Sequence, residues 1–202
     1  MKYKIKCETY ARLCNVLNYI PENATEWFNS IRLEGNYAIA SNKQIMAVER
    51  LDFTNPDEPM HIIHNEELRK QCENEAKFNS DLEINVNSML KFSNAKTTFG
   101  YNFQGNVTIW NDLENDLDRW KEVVPTKCNT ATHGAMFWEA NNIANLSKSS
   151  PSGCVVFEEF IDERKPVIIR DINDENWFAT FVPGVSDGSI EPAKLPEWWV
   201  NK

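Results

Sequence analysis

The chain has 202 residues, with 21 Lys or Arg against 30 Asp or Glu, for a net charge of -9. Its apolar fraction of 42% and charged fraction of 25% are those of one or two globular domains, which excludes wholesale disorder. The acidic balance argues against a protein that coats duplex DNA by bulk charge, because that mode needs many cations aimed at phosphates, but a local basic groove remains open to it.

The opening Met1-Lys2-Tyr3-Lys4-Ile5-Lys6 carries charge with no apolar stretch behind it, so no signal peptide is expected. No apolar run approaches the ~18 residues of a membrane span. The five cysteines are odd in number, widely spaced and lack a C-x-x-C. In a chain without a secretion signal they read as reduced thiols of an intracellular, cytoplasmic protein, in the host cytoplasm if the source is viral.

In chain order, Tyr3–Cys7 reads as a strand. Tyr10, Leu13, Cys14, Leu17 and Ile20 are spaced for a helix over about 9–20, stopped by Pro21. Strands follow at Ser30–Leu33, Tyr37–Ala40 and Ile45–Leu51, with a turn at Ser41-Asn42-Lys43-Gln44. Asn55-Pro56-Asp57-Glu58-Pro59 is a loop. A second unit repeats the plan. Met60–Ile63 is a strand, and Asn65 can cap a helix through Lys77. Strand patterns then recur at Leu82–Val86, Met89–Phe92, Thr97–Phe103 and Val107–Trp110. A third unit begins near Gly134. It has a helix over 138–148, strands at Cys154–Phe160 and Pro166–Arg170, a turn at 171–176 and a strand at Trp177–Val182. Strand, helix and several strands, three times over, predicts an α+β fold with antiparallel sheets.

Catalytic and metal chemistry finds little footing. Gly184-Val185-Ser186-Asp187-Gly188 matches G-x-S-x-G, but Pro192 and Pro196 forbid the helix a nucleophile elbow needs, so it reads as a turn. His61 and His64, three apart on a strand, point to opposite faces and cannot share an ion. Asp171, Asn173 and Glu175 begin like a calcium loop, yet the sixth-position Gly and twelfth-position Glu are missing, and a β-turn fits better. No enzyme, no cofactor and no metal are expected.

Two features fit nucleic acid. Phe99, Tyr101 and Phe103 alternate onto one face of a strand, preceded by Lys96. Such a row is either a stacking platform for single-stranded bases or a face packed under helices. Basic residues also gather locally: Lys91 and Lys96, then Arg119, Lys121 and Lys127, then Lys148, then Arg164 and Lys165. They mark a groove or a solvated mixed surface. The tail Leu195-Pro196-Glu197-Trp198-Trp199 either caps its own sheet or anchors a partner, with Trp198 and Trp199 as the anchor.

The order of these elements, with Ile31-Arg32-Leu33-Glu34 followed by Ala38–Val48, then Asp118–Pro125, then Pro166–Arg170 and Phe178–Pro183, resembles the bacterial sliding clamp, the β subunit of replicative DNA polymerase. Where that family typically has Asp-Gly-His-Arg in its first strand-turn-strand, this chain has Asn42-Lys43-Gln44-Ile45. The resemblance implies a DNA-clamp-like domain at 1–125, half of another at 126–183 and a C-terminal tail at 184–202. One and a half such domains imply a monomer or homodimer and no closed six-domain ring. The resemblance further implies a non-enzymatic accessory protein that binds DNA and contacts a DNA or RNA polymerase in phage replication or transcription, with no membrane partner. Single-stranded DNA is expected in preference to duplex. Two alternatives stay open: a single-stranded-DNA-binding cofactor of a phage RNA polymerase, and an acidic interaction or inhibitor protein that does not bind DNA.

Overall fold

A computed structural model describes residues 2–17, 26–42, 44–85, 89–94, 101–105, 108–110, 120–123, 136–137, 140–157, 167–181 and 184–185. The first unit comprises β1 (Lys2–Lys6), α1 (Cys7–Leu17), β2 (Ser30–Glu34), β3 (Tyr37–Ser41) and β4 (Ile45–Arg50). The second comprises β5 (Met60–Ile63), α2 (Glu66–Ala76), β6 (Asp81–Asn85), β7 (Met89–Ser93) and β8 (Tyr101–Asn102). After β9 (Ile109–Trp110) and a short α3 (Trp120–Val123) comes the third. It holds β10 (Met136–Phe137), α4 (Ala140–Ser149), β11 (Val155–Phe157), β12 (Val167–Asp171) and β13 (Trp177–Phe181), followed by β14 (Gly184–Val185).

The strands form three sheets, in the orders β1-β6-β7-β8, β10-β14 and β11-β12-β13-β4-β3-β2-β5-β9. The ladder pairs run antiparallel, as the three-unit pattern predicts. β13 pairs with β4 from Trp177↔Glu49 to Phe181↔Ile45, so strands on both sides of residue 125 share one sheet.

Period-two alternation decides which face is buried. Ile31, Leu33, Ala38, Ala40, Ile45, Ala47, Met60 and Ile62 turn to the main core with Trp177, Ala179 and Phe181. Ile39, Met46 and Val48 turn to the opposite face, where Trp120 of α3 covers them. The hairpin between β2 and β3 needs only Gly35 and Asn36, with Gly35 at φ +54°, a left-handed conformation that glycine adopts without strain.

The three long helices match the expected ones; residues 18–20 and 138–139 of the expected helices lie outside the described residues. α1 starts at Cys7, which the sequence pattern gives to the preceding strand; the Ser80 carbonyl takes the Cys7 N–H at 2.9 Å and turns the chain there. α1 is buried nearly all round, at Thr9, Tyr10, Ala11, Leu13, Cys14, Val16 and Leu17, because sheet, α2 and α4 enclose it. α2 opens on Asn65, whose side chain accepts from the Leu68 N–H at 2.9 Å, as the capping pattern predicts. The loop after β4 also has a defined role. Asn55 accepts from the Lys4 N–H (2.7 Å) and donates to the Lys4 carbonyl (3.1 Å), closing the outer edge of β1.

Of the expected strand at Thr97–Phe103, residues 97–100 lie outside the described residues, and Phe103 sits just beyond β8. β11 starts at Val155, one residue after the start of the Cys154–Phe160 pattern, and residues 158–160 lie outside the described residues. The pattern does not foresee the 3-10 turn Glu26–Asn29, α3, β10 or β14. Among the described residues no helix is long and apolar enough to cross a membrane. Cys7, Cys14 and Cys72 are buried free thiols, and burial pushes the Cys14 and Cys72 thiols up.

Candidate nucleic-acid interface

α1 packs against both α2 and α4, so the three helices lie side by side on one surface. Its cations are Arg12, Arg69, Lys70, Lys77 and Lys148, and most of them are already paired. Arg12 reaches Glu8 at 3.0 Å and Glu49 at 2.7 Å. Arg69 bonds Glu66 at 2.7 Å on one side and Glu73 on the other, and Lys70 lies 3.7 Å from Glu66. The Arg69 hydrogen bond is the main reason the Glu66 carboxyl is held down at about 2. Among the described residues, Lys77 and Lys148 are exposed without a carboxylate partner. The helical surface is therefore close to neutral, and two lysines are what it offers a phosphate backbone.

The Arg69 clamp was legible in the sequence, because Glu66, Arg69 and Glu73 stand three and four apart on one helix face. The buried Glu49 was not. It accepts from the Thr9 hydroxyl at 2.6 Å and from Arg12, and ties α1 to β4 across 37 and 40 residues of chain.

Besides Lys148 of α4, three of the residues singled out for nucleic acid have described side chains. Lys91 is half-buried on β7 opposite Glu83, whose carboxylate feels its charge. Phe103 is half-buried and meets Phe92 edge-on, with ring centroids 6.3 Å apart at 78°, against the main core. Lys121 is exposed on α3. The Tyr101 backbone pairs with Phe92 across β8 and β7. Lys96, Phe99, Arg119, Lys127, Trp198 and Trp199 lie outside the described residues. Lys91 and Phe103 thus share the β7–β8 region, while Lys121 sits on the larger sheet.

Lys121 belongs to a cluster centred on Glu34. That carboxylate accepts from the Arg32 guanidinium (3.0 Å), the Trp120 indole N–H (3.3 Å) and the Lys121 ammonium (3.2 Å). Burial opposes its charge, but the Lys121 hydrogen bond and the neighbouring Arg32 outweigh that and keep its pKa below the usual carboxylate range. Trp120 packs edge-on against Tyr37 at 5.2 Å, and Lys121 stands 5.3 Å from the Trp120 ring. The cluster docks α3 on the outer face of the sheet. Glu34 and Lys121 are 87 residues apart, so no local pattern could pair them. Lys121→Ala removes an exposed partner only. It is expected to cost less than about 1 kcal/mol in a urea melt, since solvent screens such pairs.

α4 is held by amides. Asn142 is fully buried and donates to Gln44 at 2.6 Å, and Asn42 lies beside it at 3.5 Å. The Asn42 side chain also accepts from the N–H groups of Gln44 (3.1 Å) and Ile45 (3.0 Å). Asn42 and Gln44, which stand where this chain departs from the clamp pattern, thus dock α4. His61 is buried with Ser30 at 3.0 Å, and His64 lies 3.8 Å from Glu66. Among the described residues no group of His, Cys, Asp or Glu is arranged to hold a metal.

No protein-family description matches the chain, and no curated protein matches it. Solved structures do. The DNA polymerase III β sliding clamp of Bartonella birtlesii, bound to griselimycin, superposes with a TM-score of 0.56 at 12% identity, over 92% of this chain and 66% of that one. The sliding clamp of Pseudomonas aeruginosa gives 0.57 at 8% identity, over 92% and 67%. The β subunit of Thermotoga maritima gives 0.57 at 10% identity, over 98% and 66%. The chain spans about two thirds of the length of the clamps it matches, and it has the fold of the bacterial DNA polymerase III β sliding clamp.

Proposed function

We propose that this chain is a non-enzymatic, DNA-binding polymerase accessory protein that serves phage replication or transcription. The observation that carries the reading is the clamp architecture over 92% of the chain, with three helices side by side on one surface. In this reading the helical surface contacts DNA through Lys77 and Lys148. Lys91, Lys96, Phe99, Tyr101, Arg119 and Lys127 add local contacts that favour single strands, while Phe103 stays packed against the core and Lys121 stays on Glu34. Trp198 and Trp199 anchor the polymerase.

The test is a titration of fluorescent single- and double-stranded oligonucleotides at two salt concentrations, because the slope counts neutralised phosphates. A near-neutral helical surface implies a shallow duplex slope, about two phosphates' worth. Lys77→Ala and Lys148→Ala are each expected to lower it by about one unit. Arg69→Ala should leave it unchanged, since that guanidinium already faces two carboxylates. A slope that drops with Arg69→Ala and ignores the lysines would move the contact elsewhere. Absence of binding to either strand form at ~100 μM would leave the acidic interaction protein as the better reading.

A further inference from the structure

The three units are built alike, and two of them complete each other. The first strand of unit one pairs with the second strand of unit two, β1 with β6. The first strand of unit two pairs with the second strand of unit one, β5 with β2. Helices α1 and α2 pack together between these ladders. The relation is reciprocal, as under a twofold axis, and it gives each unit what it lacks.

In all three units the chain beyond the last strand returns to the outer edge of its own first strand. Asn55 closes β1, β9 pairs with β5, and β14 pairs with β10. The inner edge of each first strand is the one that meets a partner unit. In unit three that edge of β10 has no strand among the described residues, and β11 ends its sheet. The remaining side of unit three is engaged: β13 joins β4 and α4 packs on α1.

Exposed apolar side chains lie on these same elements. Val156 and Phe157 on β11 are 45% and 38% exposed, and Ile143 on α4 is 36% exposed beside the exposed Ala140 and Ala144. α1, enclosed on both flanks, shows no exposed apolar residue.

We propose that unit three is completed by unit three of a second copy of this chain, with β10 of each protomer pairing with β11 of its partner and α4 packing on the partner's α4. A second copy is the occupant because the surface is self-complementary. Among the described residues it offers one unmatched first strand and one unmatched second strand, the two halves that β1–β6 and β5–β2 bring together within the chain. The result is a composite two-unit domain at a twofold interface.

Sedimentation equilibrium of the full chain tests this. The expected mass is twice 23.4 kDa at micromolar concentration. Val156→Lys and Ile143→Glu sit at exposed positions and should keep the circular dichroism and melting of the parent, while weakening the dimer at least about thirtyfold, as loss of a central apolar contact does. Should either variant fail to fold, hydrogen exchange of the unaltered chain replaces it. The β11 amides that do not bond β12 are expected to exchange more slowly as concentration rises. A monomeric parent at ~100 μM, a dimer indifferent to both substitutions, or β11 exchange independent of concentration would each overturn the proposal.

Discussion

Trp177→Ala should lower stability by about 3–5 kcal/mol, the loss typical of a large buried aromatic cut back to a methyl. For a chain of this size that corresponds to a fall in Tm of roughly 6–20 °C. Trp177 is 1% exposed and stands at the start of β13, opposite Glu49 of β4, where the third unit joins the sheet of the first. Its side chain belongs to the same core as Tyr10, Leu13 and Ile45. Deleting it opens a cavity at the seam between units. Because one core serves both, a single cooperative transition is expected to shift as a whole, by calorimetry and by far-ultraviolet circular dichroism alike. Two separate transitions in the variant, one at the parent temperature, would mean that the units fold independently. Among the described residues the indole N–H has no acceptor. Trp177→Phe, which removes that buried donor while keeping most of the bulk, should therefore cost far less than Trp177→Ala.

The parts of this fold that were legible in the sequence are those fixed by local physics. Asn65 announced α2 by its capping geometry, and the alternation of Ile31, Leu33, Ala38 and Ala40 put these residues on one face of β2 and β3, the face of the main core. β10 and β14 were not legible, because two-residue strands carry no periodicity. Long-range pairing was also hidden. Lys121 reads as a free cation until Glu34, 87 residues away, is placed against it. The same holds for Arg12 over Glu49. Counting basic residues therefore overstated the charge available for DNA, and only the fold shows which cations already face a carboxylate. Resemblance to clamps was legible because order and spacing of units survive where identity has fallen to 7–12%.

Asp171 is where the second large effect is expected. Its carboxylate, 6% exposed, accepts from the Ser150 hydroxyl and from the backbone N–H groups of Ser152 (2.8 Å), Asn173 (2.8 Å) and Asp174 (3.1 Å). It thereby knots the end of α4 to the turn between β12 and β13, and the run that imitates a calcium loop is explained as a turn wrapped on this side chain. Burial opposes the charge, but the hydrogen bonds outweigh it and hold the pKa at about 2. An aspartate is near 3.9 when unfolded, so the ionised group contributes about 2 kcal/mol. The sign follows from the depressed value: the contribution is complete above pH ~4 and is lost as pH falls from there towards 2. Asp171→Asn keeps an oxygen for the Asn173 and Asp174 N–H groups. It places an amide NH2 against the Ser152 N–H, donor against donor, while the Ser150 hydroxyl can turn and accept from it. The variant should therefore lose about 2 kcal/mol at pH 7, and the gap to the parent should close as both are melted at successively lower pH. A gap that stayed constant from pH 7 to pH 2 would mean that packing, not the charge on Asp171, holds this knot.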